Sequence, residues 1–383
     1  MPWDETTRMK QRARFLVEFS SCLYTMSELC SRYGISRKTG YKWAGRYAEE
    51  DLPDLRDRSR RPKSCPHRTA FEVEAALVEL RRRHPSWGPR KLLAWLQARR
   101  PEIGWPAAST IGDVLRRQGL VTARPASSRV AHPPVSPLTQ ASAANALWTS
   151  DFKGQFRTGD HRLCYPLTVI DGYSRFVLGI VGLESVKESG AWPVFERLFR
   201  EYGLPSSIRT DNGSPFASTS LGRLSRLSVR WLKLGIRLER IAPGHPEQNG
   251  SHERMHRTLK AETTRPPGAN FLVQQARFDQ FRRSYNEERP HEALGQKPPA
   301  SRYEGSLRPY PNTIPETEYP GHYEVRRVGS DGRIKWQGEE LSVSEALAGE
   351  RVGLEEIADG TWSVSFGEIL LARFDARERK LYG

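Results

Sequence analysis

Two stretches that cannot pack constrain this chain more than any other feature. Residues 53–69 hold Arg56, Arg58, Arg60, Arg61 and Lys63 within eight residues, broken by Pro62 and followed by Pro66. Residues 122–145 (TARPASSRVAHPPVSPLTQASAAN) are rich in Pro, Ser and Ala and show no periodicity. Neither can bury apolar surface, so both read as linkers, and the apolar residues between them must form separate cores. A length of 383 residues also exceeds one ordinary domain. The expected layout is a helical domain at 1–52, a basic linker at 53–69, a second helical domain at 70–121, a flexible linker at 122–145, a central domain at 146–305 and a small β domain at 320–383.

The first domain alternates helical periodicity with turn signals: RMKQRARFLVEF, TMSELCSRY, the breaker Gly34-Ile35-Ser36, then RKTGYKWAGRY. Thr25 and Glu28 form a capping box for the second helix, and Ser36 can cap the third. That third helix carries Arg37, Lys38, Lys42 and Arg46, with Tyr41 and Trp43 available for packing. A basic helix after a tight turn suits the DNA major groove. The basic linker beside it, with Arg58, Arg60 and Arg61, suits phosphates. In residues 70–121 a second three-helix pattern places Val73, Leu77 and Leu80 on one face. Pro89 opens a helix with Leu92, Leu93 and Leu96, and Ile111, Val114 and Leu115 mark a third that ends at Gly119. Arg90 and Lys91 at the start of its middle helix are further candidates for DNA contact.

Residues 146–305 change character. Strands are expected at 147–152, 164–170, 176–181 and 207–210, with Asp171-Gly172 as a turn and helices at about 187–202 and 251–262. This is an α/β layout with a mixed sheet. After Pro320 come the short strands HYEVRRV, RIKWQ, RVGLEEI, TWSVSF and EILLARF, with Asp331-Gly332 and Asp359-Gly360 as turns. They predict a small antiparallel barrel or sandwich.

Lys and Arg number 60 against 45 Asp and Glu, a formal charge of +15 that suits a polyanionic partner such as nucleic acid. Cys22, Cys30, Cys65 and Cys164 show neither zinc-ligand nor disulfide spacing. No apolar run approaches the roughly 20 residues of a membrane span. A cytoplasmic protein without a membrane partner is expected.

The chemistry-bearing residues are acids. Asp151 in WTSDFKG and Asp211 in IRTDNGSPF stand where strands stop, rigid and open to solvent. After Asn249-Gly250 the chain turns helical, and Glu253, Arg257 and Lys260 share one face while Met255 and Leu259 point the other way. Carboxylate oxygens suit Mg²⁺ or Mn²⁺. Asp171 and Asp160, each beside a glycine, read as turn formers. His245 and His252 read as structural residues or phosphate contacts.

At these residues the chain resembles a known family. Trp148-Thr-Ser-Asp151, LTVIDGYSRF, TDNGSPF and HPEQNGSHER-HRTLK are similar to the integrase core of bacterial insertion-sequence transposases, relatives of retroviral integrases. SRYGISRKTGYKW and WGPRKLLAWL resemble the helix-turn-helix regions before that core. The resemblance implies a ribonuclease-H-like fold and a DDE triad, carried onto Asp151, Asp211 and Glu253 as catalytic residues and ligands of two Mg²⁺ ions, with Mn²⁺ as substitute. The family commonly leaves 35 residues between the second Asp and the Glu, a count that lands on Glu247, whereas 41 separate Asp211 from Glu253. The motif favours Glu253 because it stands on a helix, and an insertion in SLGRLSRLSVRWLKLG would account for the difference. Arg257 and Lys260, on the helix face of Glu253, are expected phosphate contacts, and Asn249 is a further candidate for DNA contact.

The implied activity is binding of an element's inverted ends, metal-dependent strand cleavage and strand transfer. Double-stranded DNA and a homo-oligomer, at least a dimer, are the implied partners. Two rival readings share parts of this sequence. A helix-turn-helix regulator would use the first 120 residues without needing the acids, and a ribonuclease-H-like nuclease would cut without joining.

Overall fold

The computed structural model describes residues 8–49, 55, 57, 69–121, 138–242, 245–377 and 380–382. Arg58, Arg60 and Arg61, together with the rest of the basic run, lie outside the described residues. The chain forms two compact units, residues 1–68 and 69–383.

In the first unit, α1 (Arg8–Ser20), α2 (Met26–Arg32) and α3 (Arg37–Glu49) surround Phe15, Leu16, Leu29, Cys30 and Trp43. The Thr25–Glu28 capping box is formed, and Ser36 Oγ accepts from the Thr39 amide at 3.3 Å. Gly34 makes the turn at φ +62°. Gly40 lets α3 approach α2, since a Cβ there would meet Cys30 Sγ and Met26 Sδ. Trp43 is buried as expected, but Tyr41 is exposed and does not pack.

The second unit begins with α4 (Phe71–Arg83), α5 (Pro89–Arg99) and α6 (Ala108–Arg117) around Leu77, Leu80, Trp87, Leu92, Leu96, Ile111 and Leu115. Its central sheet comprises β1 (Trp148–Phe152), β2 (Phe156–Arg157), β3 (Leu163–Asp171), β4 (Val177–Leu183), β5 (Ser207–Thr210) and β6 (Arg237–Arg240). Across the sheet the order is β4-β3-β1-β5-β6, with β2 paired to the start of β3. The β4/β3 and β3/β1 pairs are antiparallel, and β1/β5 and β5/β6 are parallel. This mixed order is the ribonuclease-H-like arrangement. On one face pack α7 (Glu188–Tyr202) and α8 (Arg226–Lys233), around Trp148, Leu167, Val169, Phe195, Phe199 and Trp231. On the other lie α9 (Gly250–Thr263) and α10 (Phe271–Glu287), burying Ile170, Val177, Ile180, Met255, Leu259 and Phe278. Asn286 of α10 bonds both the amide and the carbonyl of Val177, which locks that helix to β4.

SLGRLSRLSVRWLKLG contains α8, whose Leu227 and Trp231 enter the central core. One expectation is corrected. Residues 138–145 are not a linker, because Arg209 binds the Thr139 carbonyl at 2.6 Å and the buried Asn145 bonds Asp171, Trp148 and Glu304. The C-terminal region is the small antiparallel β domain expected after Pro320. β7 (Glu324–Arg327), β10 (Arg351–Ala358), β11 (Thr361–Phe366), β12 (Ile369–Asp375) and β13 (Lys380–Tyr382) form one antiparallel sheet in the order β13-β12-β11-β10-β7. β8 (Arg333–Trp336) and β9 (Glu339–Ser342) form a separate hairpin over the shared core of Ile334, Trp336, Leu354, Val364 and Phe374. Val229 of α8 also belongs to that core, which joins it to the central sheet.

Candidate active site

The register of β1 against β3 sets the site. Trp148 of β1 faces the α7 side, so the strand's alternation turns Thr149 and Asp151 toward α9. Asp151 pairs with Thr168 of β3, and Thr168 Oγ1 lies 2.9 Å from the Asp151 carbonyl oxygen. Asp211 follows β5, the parallel neighbour of β1, and its Oδ1 accepts from the Gly213 amide at 3.1 Å. Arg209 of β5 pairs with Glu239 of β6 at 2.8 Å, largely buried, and reaches the Gln248 carbonyl at 3.3 Å. That ties the sheet to the turn that launches α9.

Helix α9 delivers the rest. His252, Met255, His256, Leu259 and Thr263 are its buried stripe, while Glu253, Arg257 and Lys260 are exposed. The expected partition of this helix therefore holds. Asp151, Lys153, Glu253, His256, Arg257 and Lys260 line one open cavity of ≈ 390 Å³. Burial, then the neighbouring Asp211 charge, push the Asp151 carboxyl up to about 7, with Glu253 adding in the same direction. Among the described residues no three His, Cys, Asp or Glu side chains are already drawn into one group that could hold a metal ion.

The reading of the sequence did not single out His256, Thr168 or Thr149. His252 Nδ1 lies 2.9 Å from Thr149 Oγ1 and its Nε2 2.6 Å from Thr168 Oγ1. His256 Nε2 lies 2.7 Å from the same hydroxyl, and its Nδ1 stands 3.7 Å from Asp151 Oδ2. Burial holds both rings neutral, lowering His252 to about 3 and His256 further. A signal was available: positions 252, 255, 256 and 259 form a helical stripe, which places both histidines with Met255 and Leu259 rather than with Glu253. His252 is accordingly structural.

The remaining candidates are dispersed. Asn249 is buried, and its Oδ1 has no partner among the described residues. Arg90 pairs with Glu292 at 3.2 Å, and Lys91 is half-buried at the same seam, where burial lowers it to about 8. Arg37, Lys38 and Lys42 are exposed on α3, but Arg46 stacks 4.7 Å from the Trp43 ring centroid and is half-buried. Asp171 is fully buried, accepting from the Asn145 and Ser174 amides, and Asp160 accepts from Thr158; both are turn formers as expected. Glu247 falls in a short 3-10 turn over Pro246–Asn249, before α9.

Comparison with known proteins gives a consistent domain order. Two homeodomain-like family models match residues 6–56 and 39–115. Two integrase core domain models match 141–246 and 234–299, and the IS481 family transposase C-terminal domain matches 323–381. The insertion element IS476 39.2 kDa protein of Xanthomonas euvesicatoria is 30% identical over 239 residues, covering 60% of this chain and 63% of that protein. The insertion element IS407 31.7 kDa protein of Burkholderia multivorans is 26% identical over 230 residues, covering 60% of this chain and 79% of that protein. Among solved structures, a simian T-cell lymphotropic virus intasome in complex with PP2A regulatory subunit B56 gamma aligns at a TM-score of 0.38 with 18% identity, over 77% of this chain and 97% of that one.

Proposed function

We propose that this chain, a relative of insertion-element transposases by its integrase core, homeodomain-like helices and IS481-type C-terminal domain, cuts and joins DNA at Asp151, Asp211 and Glu253. The observation that carries this reading is one cavity in which Asp151, charge-coupled to Asp211, faces Glu253, Arg257 and Lys260 across a strand end and a helix. The donors are carboxylate oxygens, and burial, then the Asp211 charge, raises the Asp151 carboxyl, a setting in which a divalent cation would favour its ionised form. Asp151, Asp211 and Glu253 would hold such an ion, although among the described residues they do not already form a metal-binding group. When bound, Mg²⁺ or Mn²⁺, as a pair of ions, activates a water or a 3′-hydroxyl and stabilises the departing oxygen in phosphoryl transfer. Arg257 and Lys260, one and two turns beyond Glu253 on the same exposed face, would orient the scissile strand through its phosphates. Arg37, Lys38 and Lys42 of α3 would read the ends of the element, and the basic run at Arg58, Arg60 and Arg61 would follow the backbone. Two ends must be held at once, so the working form is at least a dimer.

Strand transfer by the full-length protein on end DNA with Mg²⁺ tests this. Asp151→Asn, Asp211→Asn and Glu253→Gln should each reduce joining by at least about a hundredfold with end binding unchanged. Full activity in any of them removes that residue from the triad. Loss in Glu247→Gln with retention in Glu253→Gln would exchange the third acid. Cleavage without joined product would make the protein a nuclease.

A further inference from the structure

Two glycines interrupt α3, and the fold accounts for only one of them. Gly40 lies against α2, and a Cβ there would meet Cys30 Sγ and Met26 Sδ. At Gly45 a Cβ would meet nothing within 4 Å, and its backbone is ordinary helix. Glycine inside an exposed helix costs stability against alanine, so its presence there wants a reason outside the helix. Helical spacing puts Gly40, Trp43 and Ala44 on the buried stripe, and Arg37, Lys38, Tyr41, Lys42 and Gly45 on the face opposite. Tyr41 is the second residue on that face without a use in the fold. It is 63% exposed, and among the described residues it makes no hydrogen bond, ring contact or cation contact. It stands one turn from Gly45 on the same side of the helix.

Arg37, Lys38 and Lys42 beside this pair call for a polyanion, and the face is one helix wide, which fits the major groove of double-stranded DNA. Base edges in that groove are donors and acceptors, with one apolar group among them, the 5-methyl of thymine. We propose that Tyr41 selects a thymine in the element's end by packing its ring on that methyl, and that the bare backbone at Gly45 lets α3 seat deeply enough for the ring to reach it. The proposal rests on the reading of α3 as the helix that reads DNA, and adds the base it selects. A side chain at position 45 would stand between the helix and the groove. Tyr41, on the same line, would then be lifted off its base.

Binding of the full-length protein to end DNA, measured by fluorescence anisotropy with deoxyuridine replacing one thymine at a time, tests this. Removing the methyl that Tyr41 covers should weaken binding about fourfold at one position. Tyr41→Ala should lose at least as much on unmodified DNA and nothing further at that position, whereas Tyr41→Phe should keep both the affinity and the uracil sensitivity. Tyr41 faces solvent, so its truncation leaves the core of Phe15, Leu29 and Trp43 intact. Gly45→Ala should leave the fold at least as stable while weakening end binding about tenfold, a combination that a merely structural glycine cannot give. A wild type indifferent to uracil at every position, a uracil sensitivity that persists in Tyr41→Ala, or a Gly45→Ala protein that binds as the wild type does would each overturn the proposal. Affinity lost in Tyr41→Phe would assign the contact to the hydroxyl and overturn it too. If the double variant Arg37→Ala, Lys38→Ala binds end DNA as the wild type does, α3 is not the reading helix, and the proposal falls with that reading.

Discussion

His291 is a half-buried histidine that stands clear of the acidic site. Its ring packs edge-on against Tyr285 with centroids 4.7 Å apart, and Lys91, Arg289 and Arg175 add positive charge around it. Burial first, then those charges, lower its pKa to about 3. In the unfolded chain an imidazole titrates near pH ~6.5. With the folded value depressed, the stabilising contribution is complete above about pH 6.5 and is lost as pH falls toward about 3, at about 1.4 kcal/mol per pH unit. His291→Gln should therefore flatten the dependence of unfolding free energy on pH between about 6 and 4 by about that slope. Denaturant titrations across this range measure it, and an unchanged slope would mean the ring is not held neutral. At this scale the sequence was partly legible. Asp151 could be placed because a strand stops there, and Glu253, Arg257 and Lys260 because helical spacing puts them on one face. Thr168 could not be found, since only the pairing of β1 with β3 sets it beside Asp151. The burial of Asn249 could not be read either, since it depends on how the turn before α9 seats against the sheet.

Helix α8 is the element the sequence concealed. Its segment is dense in Ser and Arg and so reads as surface, yet Leu227, Val229 and Trp231 are buried on its two sides. Trp231, 1% exposed, packs against Phe195 at 4.8 Å and Phe216 at 6.2 Å between ring centroids. Val229 meanwhile enters the core of the C-terminal sheet. Trp231→Ala should cost about 3–5 kcal/mol, as other large-to-small core changes do. Because the same helix serves both cores, near-ultraviolet dichroism and hydrogen exchange should report loosening of the C-terminal sheet together with the central one. A C-terminal sheet that keeps full exchange protection would show that α8 does not couple them. Strand β6 was hidden for a related reason: RLER is too short and charged to read as a strand, and it is held beside β5 by the Arg209–Glu239 pair. The strands β1, β3 and β4 were legible because apolar runs bounded by turn residues have few other uses in a folded chain.

Across the whole molecule, the helices at residues 70–121 belong to the same compact unit as the acidic site. Ser86, in the turn before α5, bonds Glu262 of α9, and Arg289 beyond α10 reaches both Ser86 at 3.1 Å and Glu262 at 3.2 Å. Arg289 is itself buried, so this three-residue junction fixes the α4–α6 region against the helix that carries Glu253. On the proposed function, a helical region held rigidly to the helix that carries Glu253 would fix where DNA lying across both meets the acids. A flexible tether would leave that position to chance. In the full-length protein, Glu262→Ala removes the shared acceptor while leaving Asp151, Asp211 and Glu253 in place. It also strands the buried Arg289 cation, so folding must be verified by thermal unfolding before any DNA assay. The expected outcome is retained binding to element ends, with cleavage positions spread over several neighbouring phosphates instead of one. Mapping cleaved ends at single-nucleotide resolution measures this directly. A single unshifted cut site in a folded Glu262→Ala protein would mean that the docking of residues 70–121 supports the core without acting as its ruler.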